Sequence, residues 1–194
     1  MMKLWNQNSK DKNSAIDHFL SSEDITLDQE LFLYDIEASI AHAHELEKIN
    51  IFSKTEARKV ISSLKKLGKL FQTNKFKLTA KYEDCHSAIE DFLTKELGSI
   101  GKKIHTGRSR NDQIMVAMRL YAREKLDEIQ SINFEVAKAF LEKSEKHSSN
   151  PMPGYTHLQR AMPSSWGLWF GAFAESFLDN AELLSNTKSW INVN

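Results

Sequence analysis

Cysteine occurs once in these 194 residues, at Cys85. An intrachain disulfide framework is thereby excluded, and such usage fits a reducing compartment. Glycine occurs seven times and proline three times. That is too little punctuation for a many-turned β fold, so long helices are expected. Excess charge is also lacking, since 26 basic residues balance 26 acidic ones. Such balance argues against a nucleic-acid binder working by bulk electrostatics, while leaving room for a local cationic pocket. The longest near-apolar run, Trp166 to Ala174, falls far short of the ~20 residues a membrane span needs. The opening MMKLWNQNSKDKN has no apolar core of a signal peptide. A cytoplasmic protein without membrane or nucleic-acid partners is therefore expected. Its 41% hydrophobic residues can supply a core for one domain or two small ones.

What is present is helical periodicity. Leu33, Ile36, Ile40, Ala43 and Leu46 lie on one helical face. Ser53 and Glu56 have the spacing of a capping box, ahead of Val60, Leu64, Leu67 and Phe71. QTNKFKLTAK reads as a loop, and a third helix is expected from about Asp84 to Leu97, stopped by Gly98. The longest pattern runs from about Asn111 to about Lys146 without glycine or proline, and a helix of that length needs neighbours to bury its face. SSNPMPGYTHLQRAMP breaks it. Beyond the break, Trp166, Phe170, Phe173, Phe177, Ala181 and Leu184 resume helical spacing, and the start of that helix is apolar nearly all round. No convincing strand is visible, so the expected class is all-α.

Three polar stretches stand at helix ends. In HTGRSRNDQ, Gly107 permits a tight turn, and Ser109, Asn111 or Asp112 can cap the following helix. The free N–H groups and positive dipole end of a helix start attract anions. Arg108 and Arg110 add planar donors suited to carboxylates. Taken alone, the stretch is explained more simply by a capped helix with solvated arginines. In PGYTHLQRAMP, His157 follows the hydroxyl of Thr156 and can move protons near neutral pH. It can instead simply satisfy backbone groups at a helix start. In YEDCHSAIEDF, Asp84 is an N-cap candidate and His86 a pocket candidate. Metal binding is not expected: His42 and His44 point different ways on a helix, and HExxH spacing is absent. Cys85 reads as a small buried hydrophobe, and no glycine-rich loop supports nucleotide hydrolysis.

GRSRNDQ at residues 107–113, PGYTHLQRAMP at 153–163, EDCHSAIE at 83–90 and the opening KLW at 3–5 together resemble the argininosuccinate lyases of the fumarase/aspartase superfamily. The resemblance runs along essentially the whole chain. It implies an N-terminal helical domain over residues 1–108, then from 109–194 the first long helices of a central bundle. It also implies reversible elimination of argininosuccinate to arginine and fumarate, without metal or organic cofactor, in a homotetramer. A proton must leave a carbon beside a carboxylate, and the developing dianion needs fixed donors. By resemblance, His157 transfers a proton, Asn111 and Thr156 contact substrate, Ser109 and Arg110 belong to the same cradle, and His86 lines the pocket.

Two departures carry consequences. Where the family has an early substrate-contacting serine, this chain has Asp24, and a carboxylate there repels a carboxylate-rich substrate unless it faces the guanidinium. The family's flexible loop with its catalytic serine is not found before Asn194, so the bundle is expected to be incomplete, the C-terminal domain absent and the isolated chain inactive. A truncated, non-catalytic helical partner and an adenylosuccinate-cleaving relative are the competing readings.

Overall fold

The computed structural model describes residues 23–79 and 81–192. The KLW element at residues 3–5 lies outside them. The described chain is helical apart from one hairpin. Helix α1 spans Asp24–Lys48, α2 Lys54–Gln72 and α3 Cys85–Leu97; a single turn α4, Ser99–Lys102, leads through a 3₁₀ turn at Lys103–His105 to the long α5, Arg110–Lys146. Strands β1 (Pro151–Thr156) and β2 (Gln159–Ser165) then precede α6, Trp166–Ile191. Two compact units result, and the division between them falls inside α5, between Tyr121 and Ala122.

Local chemistry sets the helix ends of the first unit. Ser53 Oγ accepts from the Glu56 N–H while Glu56 accepts from the Ser53 N–H at 2.8 Å, closing the expected capping box. Asp84 caps α3 through the Ser87 N–H at 2.7 Å, and Gly98 ends that helix with a positive φ of 61°. The core between α1, α2 and α3 is built from the predicted stripe residues Ile36, Ala43 and Leu46 with Val60, Leu64 and Leu67. Ile89 and Leu93 enter it from α3 and Ile104 from the 3₁₀ turn. The segment expected as a plain loop also feeds it: Leu78 is buried, and Phe76 stacks on Phe32 at 5.7 Å and meets Phe92 edge-on at 6.1 Å.

In the second unit α5 and α6 run antiparallel. Asp127 pairs with Lys188, Gln130 donates to the Ala181 carbonyl, and Phe140 stacks on Phe173 and Phe177, so rising positions on one helix meet falling positions on the other. Large apolar groups stay exposed on both helices, among them Met118, Ile132, Leu168, Leu183 and Trp190.

The connection between α5 and α6 corrects the expectation of no strand. Residues 151–156 pair antiparallel with 159–165, with Thr156 opposite Gln159. His157 and Leu158 make the two-residue turn, both with positive φ (47° and 67°), the pattern of a type I′ turn. A β-carbon on Gly154 would stand 2.7 Å from the Met162 carbonyl oxygen, so glycine lets the strands close at the register shift there. The helical class itself stands.

Candidate functional site

The start of α5 is the first element of the site. Gly107 turns the chain with φ 76°, and the Ser109 N–H donates to Asp112 Oδ2 at 2.7 Å, which holds the Asp112 carboxyl below its ordinary value. Ser109 is thus the residue preceding the helix, with Arg110 and Asn111 in its first turn. Asn111 is exposed. Arg110 is not a free cation: Nη1 pairs with Glu83 Oε1 at 2.5 Å and Asp84 Oδ2 at 2.8 Å, and Nη2 donates to Glu83 Oε2 at 3.3 Å. Burial disfavours its charge, but Glu83 and Asp84 outweigh that and raise its pKa. The guanidinium of Arg110, expected in the ligand's cradle, is paired here with the N-terminal end of α3.

Arg108 points the other way, into the first unit. It is largely buried, and Nη2 donates to Ser39 Oγ at 3.2 Å while Nε has no hydrogen-bond partner. Burial lowers its pKa against the opposing charges of Asp35 and Glu90.

His86, in the first turn of α3, is only 7% exposed. Its Nδ1 stands 2.6 Å from Asp35 Oδ2 on α1. Burial alone would lower the imidazole pKa, but the bond to Asp35 and the charges of Asp35, Asp84 and Asp28 raise it above the ordinary histidine value. Asp28 Oδ2 accepts from the Cys85 N–H at 2.7 Å; its burial raises its carboxyl pKa. Cys85 is buried, and that burial with the charges of Asp35 and Asp28 pushes its thiol far up, so it is neutral and unreactive. Sequence reasoning missed Asp28, Asp35 and Ser39, although with Phe32 they recur at helical spacing on α1 and all four are buried. A polar row at core spacing was the available signal.

These residues meet at a cleft of about 210 Å³ lined by Asp28, Asp84, His86, Arg110, Asn111 and Ile114. The structure thus brings His86, Arg110 and Asn111 together in the first unit, with Ser109 beside them in sequence. Asp24 opens α1, and its side chain lies outside what is described. Thr156 and His157 belong to the second unit, at the exposed tip of the hairpin. Asp35, Cys85 and His86 also offer three ligand atoms within 4.8 Å of one another. The 2.6 Å Nδ1–Oδ2 separation is that of a shared proton. Two ligands of one tetrahedral cation at ~2.0–2.1 Å would stand roughly 3.3 Å apart, so the cluster is a hydrogen-bond network.

Known proteins agree with this arrangement of helices. The chain is 46% identical over 191 residues to an argininosuccinate lyase of Xanthomonas campestris and 44% identical over 191 residues to one of Xylella fastidiosa, in each case over 98% of this chain. It covers 44% and 43% of those proteins, and so spans less than half the length of these relatives. Among solved structures, an EDDS lyase variant with bound fumarate superposes with a TM-score of 0.75 at 26% identity, over 86% of this chain and 32% of that one. A fumarate lyase:delta crystallin from Brucella melitensis gives 0.75 at 16% identity, over 92% of this chain and 44% of that one, a likeness of fold. The sequence resemblance to argininosuccinate lyases is therefore borne out. A family profile described as "Lyase" matches residues 8–194, and the chain belongs to that lyase family.

Proposed function

We propose that this chain forms part of an argininosuccinate lyase, which splits argininosuccinate reversibly into arginine and fumarate. The observation carrying this reading is the 46% identity to an argininosuccinate lyase across 98% of the chain. The residues at the cleft suit the chemistry. Elimination removes a proton from the carbon beside a carboxylate and expels the guanidino nitrogen from the neighbouring carbon. The dianion formed on the way is stabilised by donors fixed in advance. Asn111, in the first turn of α5, offers an amide at a helix N-terminus. Ser109 supplies a hydroxyl beside it. His86 lines the same cleft. Arg110 shapes the cradle through Glu83 and Asp84.

His157 transfers a proton and Thr156 contacts substrate, both from the hairpin tip. Asp24 holds the position of the family's substrate-contacting serine, and a carboxylate there suits the guanidinium of the substrate, not its carboxylates. Residues 1–108 serve as an N-terminal helical domain and 109–194 as the start of a bundle completed by more than half of the relatives' length. The activity belongs to that completed assembly, a cytoplasmic homotetramer. The 194 residues alone do not release fumarate. The exposed apolar faces of α5 and α6 fit burial against further helices.

The test uses the complete protein and follows fumarate release. Asn111→Ala and His157→Ala are each expected to lower kcat/KM by ~10²–10⁴. Near-normal turnover in both variants would remove the assignment. Light scattering after gel filtration checks the tetramer, and a clean dispersed monomer contradicts it.

A further inference from the structure

Asp35 is a carboxylate with no access to solvent, set on α1 among Phe32, Ile36 and Ser39. A buried charge of this kind costs several kcal/mol unless it is paired. Its Oδ2 is bonded to His86 Nδ1, and Oδ1 has no hydrogen-bond partner. The Arg108 guanidinium acts on it electrostatically, from a position tied to Ser39 one turn along the same helix. Asp35 thus answers two groups, a half-buried guanidinium that acts on it electrostatically and an imidazole that it touches.

The contact fixes a ring that reaches the cleft. With Nδ1 committed to Asp35, Nε2 is the nitrogen left to face the space bounded by Asp28, Asp84, Arg110 and Asn111. The other cation there, Arg110, is tied to Glu83 and Asp84. The Asp84 carboxylate is further occupied by the Ser87 N–H, and that of Asp28 by the Cys85 N–H. The imidazole is therefore the cleft's available charged donor among the described residues.

We infer that Asp35 is a positioning residue for His86: it accepts the Nδ1 proton, fixes the ring plane, and leaves Nε2–H aimed into the cleft as the donor for one carboxylate of the ligand. The ligand half of this inference rests on the function proposed above; the Asp35–His86 relationship does not. The titratable and charged groups around the ring are Asp35 and Asp28 from α1, Asp84 ahead of α3, Cys85 and Glu90 from α3, and His105, Arg108 and Arg110 from the segment that leads into α5. The acidic members outweigh burial and favour imidazolium.

Two readouts test it. Long-range ¹H–¹⁵N spectra of the histidine rings, with His86 assigned through His86→Gln, are expected to show both His86 nitrogens protonated at pH 6. Asp35→Asn is expected to lower the His86 titration midpoint. An unchanged midpoint, or a neutral ring at pH 6 in the parent protein, overturns the inference. Should Asp35→Asn fail to fold, the parent spectrum alone decides. In the complete protein, Asp35→Asn is expected to raise KM for argininosuccinate at least tenfold with a smaller fall in kcat. It should also move the alkaline fall of kcat/KM to lower pH, and Asp35→Glu should restore part of both. A shifted midpoint with unchanged KM overturns the ligand-facing half. Absence of turnover in the parent protein defeats the proposed function instead, and the spectra still decide the role of Asp35.

Discussion

Ser144 Oγ donates a 2.7 Å hydrogen bond to the carbonyl of Gly167, tying the end of α5 to the start of α6. The approach is close enough that a β-carbon on Gly167 would lie 2.5 Å from Ser148 Cα and 2.7 Å from the Ser144 carbonyl oxygen. Both obstacles are backbone, so neither can rotate away. Gly167→Ala is expected to destabilise the second unit by about 1–3 kcal/mol through overpacking, read from urea unfolding. Gly171→Ala is the control, since its β-carbon meets only the Ser144 hydroxyl at 3.3 Å. Equal costs at the two positions would show that the backbone contact is not what matters.

Arg110 makes a second checkable junction. Its fork spans Glu83 and Asp84, a geometry lysine lacks. Arg110→Lys keeps the charge and is expected to cost about 1 kcal/mol, a modest figure because the side chain is one-third exposed. A double-mutant cycle with Glu83→Gln should return a coupling of similar size. Zero coupling would mean that the pair adds nothing beyond solvated charges.

What the sequence disclosed follows the range of the interactions involved. The Ser53–Glu56 box, the Asp84 cap and the Gly98 stop are contacts within four residues, so spacing alone reveals them. The apolar stripes of α1 and α2 were legible for the same reason. The hairpin was not. Its turn holds His157 and Leu158 where asparagine and glycine are the usual signal, and its second strand carries no alternation of burial. The pairing of Arg110 with Glu83 was not legible because the two lie 27 residues apart. Asp35 was overlooked because it meets His86 across 51 residues. Pairings that depend on tertiary packing leave no periodic trace.

Two histidines set opposing limbs of a pH–stability curve. The folded-state pKa of His86 is raised, so its contribution is complete below the unfolded value near ~6.5 and is lost as pH rises through the folded value. His42 is lowered, by burial first and then by Arg108, against its 3.0 Å bond to the Thr106 carbonyl. Its neutral form is favoured on folding, so stability falls as pH drops below ~6.5. Thermal melts should therefore show a decline above about pH 6.5 that His86→Gln flattens and His42→Gln leaves in place. A decline surviving His86→Gln would assign it to another group.

Leu158 gives the last prediction. It is 94% exposed, with φ 67°, directly after His157 at φ 47°. Left-handed backbone costs a residue with a β-carbon roughly 1–2 kcal/mol, and glycine avoids that cost. Nothing is packed on the Leu158 side chain that its removal would forfeit, so Leu158→Gly is expected to stabilise the hairpin by about 1 kcal/mol. Slower amide exchange at Tyr155 and Arg160, which pair across the ladder, would report it. Backbone strain held by two side chains at a tip is a reason to look for function there. In the complete protein the same variant separates the two accounts of that tip. Greater stability with reduced turnover means that the leucine, or the strained turn it shares with His157, is used in the reaction. Greater stability with unchanged turnover means that the leucine only closes the turn and the reaction does not draw on its strain.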